Sequence, residues 1–249
     1  MKIQLQKLKL SPALAQETTA YTAVILVDSR PAFHASNHGH GAADQFHAVR
    51  GYDGPDLATI NQWLAANEPP SEPLEADPAK RSAFDCGHAC DLELLVARLI
   101  DQHQAEKQLT RLLKVSILRI GADGQIYRLN MKPSGAGIAA VRETHPDWVI
   151  VNGGSPEIVD RAVRILSGAH EVEEGVYARQ RESRLTLEDA RWLRARNDAA
   201  QQPCPDLLRH LTQIIEQQAA RLEQYRAERE AEHKNRAGEA ATIAQGSSK

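Results

Sequence analysis

YTAVILVDSRPAFHASNHGHGAADQFHAV, residues 21–49, decides the fold. Its first eight residues are rich in β-branched and aliphatic side chains, which predicts a strand. Ser29-Arg30-Pro31 reads as a turn, Ala32–Asn37 as the return strand and Asp44–Val49 as a third strand. Upstream, Ile3, Leu5, Leu8 and Leu10 alternate imperfectly and add a strand over 2–10. The pattern is an antiparallel meander in which a glycine–histidine loop joins two neighbouring strands.

Outward from the meander the period changes from two to 3.6. Leu57, Ile60, Trp63 and Leu64 share one helix face over 57–66. Residues 67–84 carry four prolines and several acids with little apolar content, and read as an exposed linker or excursion. Asp91–Leu113 is the strongest helix. Its stripe of Leu92, Leu95, Val96, Leu99 and Ile100 breaks off and resumes at Leu109, Leu112 and Leu113. A hairpin of Val115–Ile120 and Gln125–Met131 turns at Asp123-Gly124, where both residues tolerate positive φ. A short helix over 138–144, a strand at Trp148–Val151 and a helix opened by Ser155-Pro156 follow. Beyond about 170 the chain reads as two charged helices, 185–196 and 206–232, separated by Pro203-Cys204-Pro205. Leu208, Leu211, Ile215, Leu222 and Tyr225 lie near heptad spacing, with Gln218 interrupting the seam.

The predicted class is therefore α+β: an antiparallel meander and a hairpin packed with helices, plus a C-terminal helical extension. The expected plan is a core over 1–168, a helical module over 169–232 and a disordered tail over 233–249. A homo-oligomer formed through 206–232 is one expectation for the seam.

Composition bounds the function. At 249 residues, 42% hydrophobic and 25% charged, the chain is an ordinary globular protein. A net charge of -3 gives no global attraction to nucleic acid or anionic membrane, and leaves room only for a local basic patch. With 4% aromatics, a large base-stacking platform or an aromatic sugar groove is not expected. Three cysteines make no disulfide framework and fit a reducing compartment. The opening MKIQLQKLKL lacks the apolar core of a signal peptide, and no run approaches the roughly 18–20 apolar residues of a membrane span. A cytoplasmic bacterial protein is the expectation.

Five constellations are candidates for chemistry. Phe33–His47 holds four of the ten histidines, and His34, His38, His40 and Asp44 are ligand types suited to Zn²⁺ or another divalent metal. On extended backbone His38 and His40 point to one side. Cys86-Gly87-His88-Ala89-Cys90 lacks the C-x₂-C spacing of a zinc knuckle and reads as small cysteines at a helix start. Asn152-Gly153-Gly154-Ser155-Pro156 follows a strand and opens a helix, a place where free N–H groups attract anions, although no P-loop lysine follows. Lys107, Arg111 and Lys114 lie on one side of the long helix; with Arg119, Arg128 and Lys132 on or near the hairpin they make a candidate nucleic-acid strip. The mixed Arg/Glu face of the last helix suits a protein partner.

Two comparisons with enzyme motifs fall short. The H-x-H-x-D-H element of metallo-β-lactamases would need an Asp two positions earlier than Asp44 and a His behind it. His34-Ala35-Ser36 and His210-Leu211-Thr212 match the letters of the two-histidine phosphoesterases, but His210 belongs to a predicted helix. The segments KLKLSPALAQETTAYTAVILVD, ASNHGHGA and ACDLELLVARLI together resemble small uncharacterised proteins of bacterial mobile elements and phages, over roughly residues 8–160. That resemblance implies an accessory role and supplies no catalytic residues. The expected function is an accessory binding protein that contacts nucleic acid or a protein partner. The alternative is a metal-dependent hydrolase built on the loop 33–47, in which the ion would polarise a water.

Overall fold

The computed structural model describes residues 1–73, 87–169, 176–177, 179–180, 185–200 and 204–246, with side chains described as far as 230. Two antiparallel sheets packed with helices make the architecture α+β. By compactness the chain divides into two units, residues 1–64 with 90–174 and residues 65–89 with 175–249.

The first unit contains both sheets. β1 (Ile3–Leu10), β2 (Tyr21–Val27), β3 (Arg30–Asn37) and β4 (Gln45–Ala48) pair in chain order. Along β2 the period of two buries Tyr21, Ala23, Ile25 and Val27 on one face. The β2–β3 turn is Asp28-Ser29, both at positive φ (47° and 68°), the two-residue turn whose twist matches antiparallel strands. It sits earlier than the Ser-Arg-Pro reading, and Arg30 and Pro31 belong to the strand. Pro31 is tolerated because β3 bulges beside it: Leu26 pairs with Pro31 and Ile25 with Phe33, so Ala32 is an extra residue and both Ala32 and Phe33 are buried. The imperfect alternation of β1 has the same cause, a register shift between Gln6 and Lys9 with Lys7 at φ 54°.

α1 (Leu57–Asn67) and the first half of α2 (Leu92–Val115) cover the inner face of this sheet. Asp56 accepts from the Thr59 N–H at 2.9 Å and Asp91 from the Leu94 N–H at 2.8 Å, so each helix starts on a carboxylate. The core is Ile25, Phe33, Ile60, Leu64, Leu92, Val96 and Ile100 with their neighbours.

α2 then leaves this core and enters another. At roughly 1.5 Å per residue its 24 residues span about 36 Å. The polar stretch Asp101–Gln104 is the gap in its stripe, and beyond it Ala105, Leu109, Leu112 and Leu113 pack on a second sheet. That sheet has the order β6-β5-β7, from β5 (Ile117–Ile120), β6 (Ile126–Leu129) and β7 (Val149–Ile150). Leu118, Ile120, Ile126 and Val149 face α2 and α4 (Pro156–Leu166). Ile117, Leu129 and Ile150 face α3 (Gly135–Thr144) through Ile138 and Val141. α3 begins three residues before the sequence reading placed it, because the Ser134 hydroxyl accepts from the Gly137 N–H at 3.0 Å. Ser155 occupies the cap position of α4 but makes no side-chain cap bond.

The second unit has its own core of Val176, Leu185, Ala190, Trp192, Leu193 and Leu211. α5 (Leu187–Asp198) opens with a reciprocal cap between Thr186 and Asp189. Asp189 is fully buried and takes two hydrogen bonds from the Arg179 guanidinium, both 2.7 Å; Arg179 also reaches Glu72 at 3.2 Å. Burial works against the Arg179 charge, yet the Asp189 and Glu72 carboxylates together outweigh it and hold the guanidinium above its ordinary value. α6 runs Pro205–Gly246, past Glu232, where the spacing predicts its end. Alanine, the strongest helix former, is the commonest residue over 233–246. Gln218, read as a break in the seam, donates to the Leu185 carbonyl at 2.7 Å.

Candidate functional site

The glycine–histidine loop closes one end of the four-stranded sheet, and its glycines serve the closure. Gly39, at φ +84°, presents its carbonyl to the N–H groups of Gln16 and Glu17, both 3.0 Å away. A Cβ there would meet the Leu14 carbonyl oxygen at 2.5 Å, so only glycine fits. Asn37, buried on the inner face at the end of β3, holds the arrangement. Its oxygen accepts from the Gly39 N–H (2.7 Å) and the Thr18 hydroxyl (3.0 Å). Its amide donates to the Ala42 carbonyl (2.9 Å) and to Asp44 (2.8 Å). The second oxygen of Asp44 accepts from the Tyr21 hydroxyl. Burial, and then that bond to Asp44, push the Tyr21 phenol above its ordinary range, so it stays a neutral donor.

Of the four metal candidates, Asp44 is thus committed to the inner face. His34 lies on the outer face of β3, directly opposite His47 of β4, and both are exposed. His38 and His40 are exposed on the loop, with His40 3.3 Å from the Gln16 amide oxygen. No three of these residues come together, and among the described residues no group of three His, Cys, Asp or Glu is placed to hold a metal. Beside the loop a cleft of about 550 Å³ is lined by Glu17, Tyr21, Asn37, Asp44, Glu93 and Asp101 among others. Partial burial pushes the Asp101 carboxyl above the usual carboxylate value.

Two other candidates have structural employment. Asn152, buried, accepts from the Leu118 N–H at 2.7 Å and donates to the carbonyls of Ser116 (3.0 Å) and Leu113 (3.3 Å), tying β5 to the end of α2. Arg142 donates to the carbonyls of Asn152 and Gly153 at 3.0 and 3.1 Å. Cys90 is buried and Cys204 exposed, while Cys86 lies outside the described residues.

The six basic candidates divide. Lys107, Arg111 and Lys114 are exposed on the α2 face opposite Leu109 and Leu112, and Lys132 is exposed after β6. Arg128 braces its own strand pair, its Nε donating to the Ser116 hydroxyl at 2.5 Å. Arg119 has the most particular environment. It stands on the central strand of the small sheet, with Tyr127 of β6 on one side and Trp148, just before β7, on the other. Its guanidinium carbon lies 4.6 Å from the Tyr127 ring centre and 4.2 Å from that of Trp148. His145 stacks on Trp148 at 3.8 Å and 7°. Two planar groups that near one ring centre cannot share a face, so the order is Tyr127, Arg119, Trp148, His145.

The ends of this ladder reach solvent: Tyr127 is 41% exposed and His145 is exposed. The Tyr127 hydroxyl donates to Asp123, a bond that raises the phenol and, as the foremost cause, holds the Asp123 carboxyl below the usual range. Gly121 lies against the Cδ2–Cε2 edge, where a Cβ would come within 2.6 Å of the ring. The Arg119 Nε is buried and makes no hydrogen bond among the described residues. Sequence reasoning named Arg119 and missed its three neighbours. The signals were Tyr127 opposite Arg119 across an Asp-Gly hairpin, and the tetrapeptide His145-Pro146-Asp147-Trp148 returning to the sheet.

No helix among the described residues is long and apolar enough to cross a membrane. No protein-family model, curated protein or solved structure matches this chain.

Proposed function

We propose that this protein is an accessory binding protein that contacts nucleic acid through the lobe built on its three-stranded sheet. The observation that carries the reading is the Arg119 ladder, in which an arginine and a histidine alternate with two aromatic rings on one sheet face. Planar cations and rings at a solvent boundary are the groups with which proteins contact bases and phosphates. Charge favours the same lobe. Residues 103–166 hold nine Lys or Arg against six Asp or Glu, whereas 1–64 and 90–102 hold six against eight. Lys107, Arg111 and Lys114 repeat along one exposed helix face, as a track along a phosphate backbone requires. The mobile-element setting rests on the resemblance of the opening strands and the long helix to such proteins.

The test is oligonucleotide binding across a salt series. Affinity should fall with rising salt. Changing Lys107, Arg111 and Lys114 together to Ala should weaken binding and flatten the salt slope by about 0.7–0.9 for each phosphate that is no longer neutralised. Binding that ignores salt, or an unchanged slope in the triple variant, rejects the basic track. Absence of binding to any oligonucleotide at low salt rejects the reading.

A further inference from the structure

Resting on that nucleic-acid reading, we infer that the Arg119 ladder is a stacking site for single-stranded nucleic acid, with unpaired bases laid on Tyr127 and His145. In a duplex the faces of the bases are already stacked on one another, so exposed protein rings gain nothing from them; a single strand offers those faces free. The ladder is built to keep its ends in place. Tyr127 is held at its hydroxyl by Asp123 and at one edge by the Gly121 backbone. His145 is held flat by Trp148, and Trp148 in turn lies against Arg119. A ring fixed before binding loses little freedom when a base settles on it.

The interior of the ladder is equally suited. Arg119 carries five N–H donors, and the one at Nε is buried without an acceptor among the described residues. A phosphate arriving beside the ladder is drawn by the charge of the guanidinium, since the buried Nε itself is out of its reach. The four planar groups come from β5, β6, the end of α3 and the approach to β7. Packing alone needs no such convergence at a rim where two of the four groups stay exposed. With one exposed ring at each end, the site takes one base at each end.

The experiment uses the full chain and a fluorescein-labelled oligothymidylate of about 12 nucleotides, within the site sizes of single-strand binders. A duplex of equal length is measured beside it. The wild type should bind the single strand more tightly. Tyr127→Leu should weaken that binding about 5- to 150-fold, the range for loss of one stacked base, and leave the duplex within about twofold. Tyr127→Phe, which keeps the ring and loses only the bond to Asp123, should retain most of the affinity. His145→Ala, at the other end of the ladder, should give a separate loss. Because both positions are exposed, the melting temperature should fall by no more than about 5 °C, so a loss of binding is not a loss of fold. A wild type that prefers the duplex, or Tyr127→Leu and His145→Ala variants that bind the single strand normally, overturns the stacking site while leaving salt-sensitive binding intact. Binding of neither form overturns both the site and the reading beneath it.

Discussion

The two sheets at opposite ends of α2 are each closed by one buried asparagine, and the two asparagines work differently. Asn37 fastens loops to one another, and two of its four partners are side chains, those of Thr18 and Asp44. Asn152 fastens regular elements, and all three partners are backbone groups of α2, of Ser116 that caps it and of β5. A closure made with backbone depends on one residue, whereas a closure made with side chains depends on several. The first lobe should therefore be sensitive at more positions than the second.

The largest expected effects test this directly. Asn37→Ala and Asn152→Ala should each cost about 3 kcal/mol in urea unfolding, since each strands several buried polar groups. Asp44→Ala should cost about 2 kcal/mol by leaving Asn37 and the Tyr21 hydroxyl without their acceptor. Thr18→Val should cost about 1 kcal/mol. If Asp44→Ala and Thr18→Val are both silent, the distinction between the two closures fails.

Glycines give the next contrast. Gly39 and Gly124 both have positive φ, +84° and +77°, but only Gly39 has backbone where a Cβ would go. Gly39→Ala combines left-handed strain with overpacking and should lose about 2–4 kcal/mol. Gly124→Ala meets nothing within 4 Å and should lose about 1 kcal/mol. Equal losses would mean that the clash with Leu14 is relieved by movement of the 12–18 segment.

The smallest effect is one of sign. Burial raises the Asp101 carboxyl, so its folded form favours the proton. Its contribution to stability is present in acid and is lost as pH rises through its folded pKa. The Tyr127 hydroxyl, as the leading cause, lowers Asp123, whose contribution is present at neutral pH and is lost as pH falls through its folded pKa. Asp101→Asn should raise the melting temperature by about 1 °C at neutral pH and not at all in acid. Asp123→Asn should do the reverse, lowering it slightly at neutral pH only. A shift of the same sign for both variants would break the contrast.

The pattern of the sequence carried the sheet and the spine but not the fastenings. Residues 21–27 alternate cleanly, so β2 is legible, and the long apolar stripe makes α2 legible. The break in that stripe at Asp101–Gln104 is the trace of two cores, but a gap in a periodicity does not say what lies on either side. The β2–β3 turn was misplaced because Asp28 and Ser29 are weaker turn signals than the proline behind them, and that proline is absorbed by a bulge. The histidines drew attention as ligands, whereas their glycines and Asn37 shape the loop. Asn37, Asp44 and Tyr21 become partners only when β2, β3 and the loop have come together, and no spacing rule joins them. Arg119 was legible as a charge; the rings that flank it are 8 and 29 positions away in sequence.

The helix shared by two cores also sets an order of events during synthesis. As the chain leaves the ribosome, all four strands of the first sheet emerge before α2, and α1 alone covers their inner face until Ile100 has followed. The strands of the second sheet emerge after α2 and meet one wall already in place, with α4 following them. The interval between the appearance of Val27 and that of Ile100 is thus the period in which the nascent protein is most open to aggregation, and the one in which a chaperone would be needed.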